Sequence, residues 1–372
     1  MSGLNVLITN LKYSSRSGTE TYVRDLGLEL LRQGHHPVIF TPVAGAIAEE
    51  LRQATIPVVE RLEQVEFTPD IIHGHHSHQT VSALLHFTNT PAIFLCHDGV
   101  AWHDDPPLFP RILRYVPVDD LCRDRVVNEG GVHEDRVQII RNFVDLRRFV
   151  PRPPLPRHPT RALVFSNLAR NGNYFDQIAQ ACASRDIQLE VAGASSGRQL
   201  AHPEELLGQY DLVFAKAKAA MEAMAVGCAV VLCDQVGLGP LVTAKRFDEL
   251  RAVNFGRRSL SNPITPQNLL GEIARYDSGD AAEVSRRLRA CAGLTETVER
   301  LVALYREVIA EYSAAGLPDR EAERIATAAY MARIGGTTAI IDSENYRRRD
   351  AELVAEIERL RCELDRLRRR EG

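Results

Sequence analysis

The stretch from Asp211 to Gly237, DLVFAKAKAAMEAMAVGCAVVLCDQVG, restricts the fold more than any other part of the chain. Leu212, Val213 and Phe214 form a short apolar run suited to a buried strand. Lys216 to Ala225 is built from Ala, Met, Lys and Glu, all good helix formers. Gly227 stands where a left-handed residue ends a helix without steric cost. Ala229 to Cys233 is a second apolar run, closed by Asp234. The order is strand, loop, helix, strand. Lys216 and Lys218 sit at the mouth of the helix, and Glu222 lies one turn inside. A helix start presents unpaired N–H groups and partial positive charge, so with two lysines it suits phosphate. Glu222 has two oxygens for a pair of neighbouring hydroxyls. Phosphate plus a ribose diol is the middle of a nucleotide-sugar. The same residues also fit the solvated face of an Ala-rich helix, and the pattern leaves both readings open.

Elsewhere the chain alternates in the same way. Leu4 to Thr9 reads as a strand, Asn10 to Glu20 as a polar loop holding Gly18, Thr21 to Gly34 as a helix and Val38 to Thr41 as a strand. This is a βαβ unit of a doubly wound sheet, without a G-x-G-x-x-G dinucleotide loop. Pro69 to His75 leads into a run with His73, His75, His76 and His78. The run invites a metal, but no carboxylate or cysteine stands beside it to complete a ligand set, and no metal is expected. Pro91 to Cys96 is a strand followed by His97-Asp98-Gly99, a polar turn where such sheets hold ligands. Asp119-Asp120 caps a helix running through Val127 and is not read as a metal pair. Five prolines between Val150 and Thr160 make a stiff connector. Ala162 to Phe165 then starts a second set of strands, with Leu189 to Ala192 as another member.

Several stretches together resemble the retaining GT-B glycosyltransferases of the "glycosyl transferases group 1" family. Glu222-Ala223-Met224-Ala225-Val226-Gly227 and Ala229-Val230-Val231 resemble its donor-binding segment. Ser17-Gly18-Thr19-Glu20 resembles its "G-G-A-E" loop, and His97-Asp98 its "T-x-H-D" turn. Arg136 to Asp145 is similar to its crossing into the second domain, and Asp234 to Pro240 to its "D-x-G-G-x-P" turn. The chain departs from the family at Phe214, where a glutamate is usual, and Ala215-Lys216-Ala217-Lys218 stands in place of the Glu-Gly-Phe-Gly loop. The Ser166 to Gly172 loop keeps Arg170 but lacks the family's lysine.

The resemblance covers roughly residues 1 to 315 and implies an α/β protein of GT-B architecture. That means two Rossmann-like domains facing a cleft, 1–150 and 161–294, joined by a linker over 151–160. Thr295 to Tyr312 is the candidate helix crossing back to the first domain. It further implies donor binding by Gly18, Arg170, Lys216, Lys218 and Glu222, and a catalytic set of His97, Lys216 and Lys218. The loop from Trp102 to Pro110 is the candidate acceptor-side lip. The co-substrate is a nucleotide-diphosphate sugar, with no separate cofactor.

Beyond a connector over 316–340, Tyr346, Asp350, Leu353, Ile357, Leu360, Leu364 and Leu367 form a short heptad seam. The seam implies self-association or docking on a partner; the basic run Arg366 to Arg370 also suits an anionic membrane surface. A net charge of −4 gives no general affinity for nucleic acid. Seven cysteines without C-x-x-C spacing suit reduced thiols and a cytoplasmic setting. No stretch is long enough to span a bilayer, and the first residues lack a signal-peptide pattern. Three functions fit these features: a sugar transferase, a catalytically weak scaffold subunit, or a nucleotide-sugar epimerase on the same two domains.

Overall fold

A computed structural model of the chain describes residues 3–14, 16–316 and 319–335. The first sheet contains β1 (Asn5–Thr9), β2 (His36–Phe40), β3 (Val58–Val59), β4 (Ile71–His75), β5 (Ala92–Cys96) and β6 (Ile112–Pro117). Its order is β3-β2-β1-β4-β5-β6, with every neighbouring pair parallel. Helices α1 (Gly18–Arg32), α2 (Ala46–Gln53), α3 (Ser77–His86) and α4 (Asp120–Asp124) connect or follow these strands. β4 and β5 are buried along their whole length; β5 accordingly reads as an unbroken apolar run, whereas β4 buries His73 and His75 within the strand. α1 starts earlier than the apolar spacing suggests, because the Ser17 N–H is met by Glu20 Oε2 at 2.9 Å, a capping contact three residues apart. Asp119 caps α4 as expected, accepting the Cys122 N–H at 2.8 Å. The helix then widens into a π-helical turn, Arg125–Glu129.

The second sheet contains β7 (Arg161–Phe165), β8 (Gln188–Ala192), β9 (Leu212–Ala215), β10 (Ala229–Asp234) and β11 (Gly237–Leu241) in the order β11-β10-β9-β7-β8. It carries α5 (Tyr174–Ala183), α6 (Pro203–Leu207), α7 (Ala217–Val226), α8 (Phe247–Ala252), α9 (Pro266–Ile273) and α10 (Ser278–Cys291). Strands β7 to β10 pair in parallel, whereas β11 folds back antiparallel on β10. The stretch Asp234 to Pro240, expected as a glycine turn, is therefore mostly strand. Its glycines serve close approach: a Cβ on Gly237 would stand 2.7 Å from Leu260 O, and one on Gly239 2.6 Å from Ser259 O.

Two chain segments cross between the domains side by side. The Val144 N–H donates to Ala292 O at 2.8 Å, and the Leu294 N–H returns to Val144 O at 3.0 Å. The chain then enters α11 (Leu294–Ala315), whose Val298, Leu301, Leu304, Tyr305 and Val308 join the core under the first sheet. Each such side chain contributes about 1.5–3 kcal/mol of burial, enough to dock the helix. The proline connector is held to the second domain by Arg152, whose N–H meets Val226 O at 2.8 Å and whose guanidinium pairs with Asp211 at 3.1 Å. Residues 320–335, inside the expected connector, are helical. They belong with residues 108–110 to a separate compact unit. The heptad seam over 346–367 and the basic run after it lie outside the described residues.

Candidate active site

In each sheet the strand order reverses once, between β1 and β4 and between β7 and β9. Residues at the carboxyl ends of β1 and β5 in the first sheet and of β7, β9 and β10 in the second line one cavity of about 370 Å³. Gly18, Tyr22, His97 and Asp104 contribute from the first domain; Ser166, Asn167, Lys216 and Asp234 contribute from the second. A smaller recess of about 130 Å³, sharing Gly18 and Lys218, adds Arg24, Asp25, Arg148 and Glu222. Gly18 borders both spaces, and a Cβ there would meet nothing within 4 Å, so the backbone is open to a ligand. Asn167 Nδ2 donates to Arg16 O at 3.3 Å across the cleft.

One residue, Lys216, separates β9 from α7. Phe214 lies inside the strand, fully buried, so its side chain does not face the cavity. The short turn forces Ala217 to φ 49°, next to Asn254 at φ 56° and Phe255 at φ 52°. The Ala217 N–H donates to Phe255 O at 2.8 Å and the Ala220 N–H to Lys216 O at 3.3 Å. Among the described residues, the Lys218 and Ala219 N–H groups have no acceptor, so they remain available at the helix mouth. A left-handed alanine costs about 1–2 kcal/mol, so Ala217→Gly is expected to raise stability by about 0.5–1 kcal/mol after the glycine's larger unfolded-state entropy is counted. A urea unfolding midpoint unchanged or lowered in that variant contradicts the strain.

The lysines are not free cations. Lys216 Nζ lies 2.5 Å from Asp234 Oδ2, with its side chain about a third exposed in the cavity wall. Lys218 is buried; its Nζ donates to Asp25 Oδ2 at 3.0 Å, lies 3.5 Å from Glu222 Oε1 and sits 5.1 Å over the Phe143 ring. Burial pulls the Lys218 pKa down, but Asp25 and then Glu222 outweigh it, leaving it above the ordinary lysine value. Burial pushes the Glu222 carboxyl up, with Lys218 opposing. Lys218 thus ties α7 to α1, and the carboxylate expected for a ribose diol is engaged with it. Arg170 is exposed on its loop and lines neither the cavity nor the recess.

His97 is held by a network that local sequence does not announce. Asp104 Oδ2 accepts the His97 N–H at 3.0 Å and the Asp98 N–H at 2.6 Å. Arg125, in the π-helical turn, donates to Asp98 O and Ala101 O, both at 2.8 Å. His97 Nε2 hydrogen-bonds His75 Nδ1 at 2.8 Å, and His73 stacks on His75 with ring centroids 4.7 Å apart. Burial drives these rings toward the neutral form: His97 falls to about 4, His73 to about 3 and His76 to about 2. Burial pushes Asp104 up to about 7 in spite of its two backbone donors. Trp102, the expected lip residue, is exposed and rests against His78 with ring centroids 5.2 Å apart.

The carboxylate thought missing from the histidine run is Asp104. His76, His103 and Asp104 bring one donor atom each within 4.8 Å of one another. His76 Nδ1, however, accepts the Leu11 N–H at 3.0 Å, which leaves the ring proton on Nε2, the atom 3.9 Å from Asp104. A protonated Nε2 donates and does not ligate, so the three form a polar cluster supporting the His97 turn.

Residues 16–148 match the family description "Glycosyltransferase Family 4". No curated protein matches the chain by sequence. Among solved structures, a glycosyltransferase from Rickettsia africae is similar with TM-score 0.59 and 14% identity, over 83% of this chain and 99% of that one. Anabaena HepE, solved in complex with UDP and glucose, gives TM-score 0.58 and 14% identity over 81% and 99%. The catalytic domain of Starch Synthase IV from Arabidopsis thaliana, bound to ADP and acarbose, gives 0.52 and 11% over 83% and 100%. The fold is GT-B: two Rossmann-like domains with a helix returning from the second to the first. Among the described residues, no helix is long and apolar enough to cross a membrane.

Proposed function

We propose that the chain is a metal-independent, retaining glycosyltransferase. It moves a sugar from a nucleotide-diphosphate sugar to a glycan, lipid-linked or small-molecule acceptor, in cell-surface polysaccharide or glycoconjugate synthesis. The observation that carries this reading is the start of α7. Two N–H groups without acceptors and the half-open Lys216 stand in a cavity whose far wall is Gly18 and His97. The neighbours solved with UDP and with ADP support a nucleotide as the ligand class.

The chemistry needed is departure of a nucleoside diphosphate. Negative charge grows on the phosphate as positive charge grows on the sugar carbon, and donors fixed toward that phosphate stabilise the transition state most. Lys216 exchanges Asp234 for the diphosphate and, with the helix N–H groups, receives that charge. Lys218 holds Glu222 in place, and Glu222 takes the ribose and so orients the donor. His97, neutral, walls the sugar side. Glu222→Ala is expected to weaken nucleotide binding about 10–100-fold, the worth of hydrogen bonds to a charged group. Calorimetric titration with a nucleoside diphosphate tests this, and equal affinity in a variant that melts normally refutes the role.

A second reading is favoured by the Asp25–Lys218–Glu222 chain and by Phe214 standing buried in β9: a catalytically weak GT-B subunit acting as a scaffold for another transferase through a coiled coil formed by its C-terminal heptad seam. Donor hydrolysis or transfer by the purified chain separates the two.

A further inference from the structure

A second cavity, of about 450 Å³, opens where α8, α10, α11 and residues 139–141 meet. It shares no lining residue with the cleft or its recess. Five arginines line it, Arg141, Arg251, Arg286, Arg287 and Arg300, against one carboxylate, Asp248. Two of the five are neutralised. Arg287 grips both oxygens of Asp248 at 2.8 Å, and Arg286 bonds Glu283 at 2.8 Å. Of the other three, Arg251 and Arg300 bond no carboxylate among the described residues, and Arg141 has one long ion pair. Arg251, nine-tenths buried, spends its donors on Asn254 Oδ1 at 2.7 Å, Asn142 O at 2.8 Å and Met221 Sδ at 3.6 Å. Arg300 bonds Thr297 Oγ1 at 3.1 Å. Arg141 reaches Asp120 only at 3.5 Å, and its Nε is buried without a hydrogen-bond partner.

Three guanidinium groups gathered at one cavity repel, and a buried N–H left unpaired adds its own desolvation cost. Burial lowers Arg251 to about 10; the thiol of Cys291 opposes this, and the charges of Arg141 and Arg300 add to it. A bound dianion offsets both costs. Guanidinium forks match phosphate oxygens two at a time, and the volume falls in the usual range for small-ligand sites.

We propose that this cavity is a second anion site, separate from the donor cleft, that takes a phosphate monoester through Arg141, Arg251 and Arg300. Its floor touches the cleft through one residue: Arg251 holds the carbonyl of Asn142, which lines the donor cavity.

Cys291 supplies a reporter. It lines the same cavity and is the exposed member of the described cysteines. Its alkylation by iodoacetamide, followed by peptide mass spectrometry, is measured against rising inorganic phosphate at constant ionic strength set with sodium chloride. Saturable slowing of several-fold is expected, and it is expected to vanish in Arg300→Gln and in Arg141→Gln/Arg300→Gln. Arg300 is exposed on its helix, so the single variant keeps the fold. Slowing no greater than chloride alone gives, both with free phosphate and with the vesicles described next, or equal slowing in both variants, overturns the site. A parallel arm uses phosphatidylcholine vesicles carrying phosphatidic acid. Protection by vesicles without protection by free phosphate keeps the phosphomonoester chemistry but assigns it to a lipid headgroup.

Discussion

Lowering the pH from about 7.5 to about 5 is expected to remove several kcal/mol of stability from the first domain. His73, His76 and His97 are held neutral by burial, at about 3, 2 and 4. Their stabilising effect is complete above the unfolded value near 6.5. It is lost as pH falls below that, because the unfolded chain takes up protons that the folded one refuses. At pH 5 each such ring costs roughly 2 kcal/mol. Asp104 acts with the opposite sign. Its carboxyl, raised to about 7, stabilises the fold at low pH and loses that effect as pH rises through 7. It therefore offsets about one histidine, and the net slope still favours neutral pH. Thermal melts between about pH 5 and 8 should show Tm falling by about 5–10 °C on the acid side. A flat profile contradicts the buried, neutral network behind His97.

Replacing Lys216 by alanine is expected to lower kcat for donor turnover by about 10²–10³, with a smaller change in KM, as for loss of one donor aimed at developing charge. Lys216 is the cation of the helix mouth that is open to the cavity, whereas Lys218 is committed to Asp25 and Glu222. Removing Lys216 also strands Asp234, which is buried. Lys216→Arg supplies the control: it keeps that charge satisfied and should recover part of the rate. A loss confined to KM, or equal loss in both variants with normal melting, points to a structural role for Lys216.

The legible parts of this chain are those governed by local rules. The apolar runs at Leu4, Pro91, Ala162, Leu212 and Ala229 became strands of the two sheets, within a residue or two. Gly227 does sit at φ 102° behind α7, and the 3.6-residue spacing after Thr295 marked the returning helix. The site was legible as a set of loops but not as a set of partners. Lys218 meets Asp25 across 193 residues, and His76 meets Asp104 across 28, distances at which spacing carries no signal. The dipeptide His103-Asp104 was the available hint of a second polar group beside the histidine run. The β11 hairpin is not legible in the sequence because glycines at 237 and 239 read as turn formers, whereas close backbone packing explains them. Arg170 rests on resemblance to a family loop, whereas in this chain it is exposed and its N–H bonds Asn173 Oδ1 at 3.2 Å.

Calorimetric titration of the full chain with a panel of nucleoside diphosphates, repeated with Lys216→Ala, tests most directly whether the helix mouth receives a diphosphate. Saturable binding of at least one nucleotide, weakened about tenfold or more by the substitution, is the result expected. No binding at millimolar nucleotide, or binding that the substitution leaves unchanged, would contradict it.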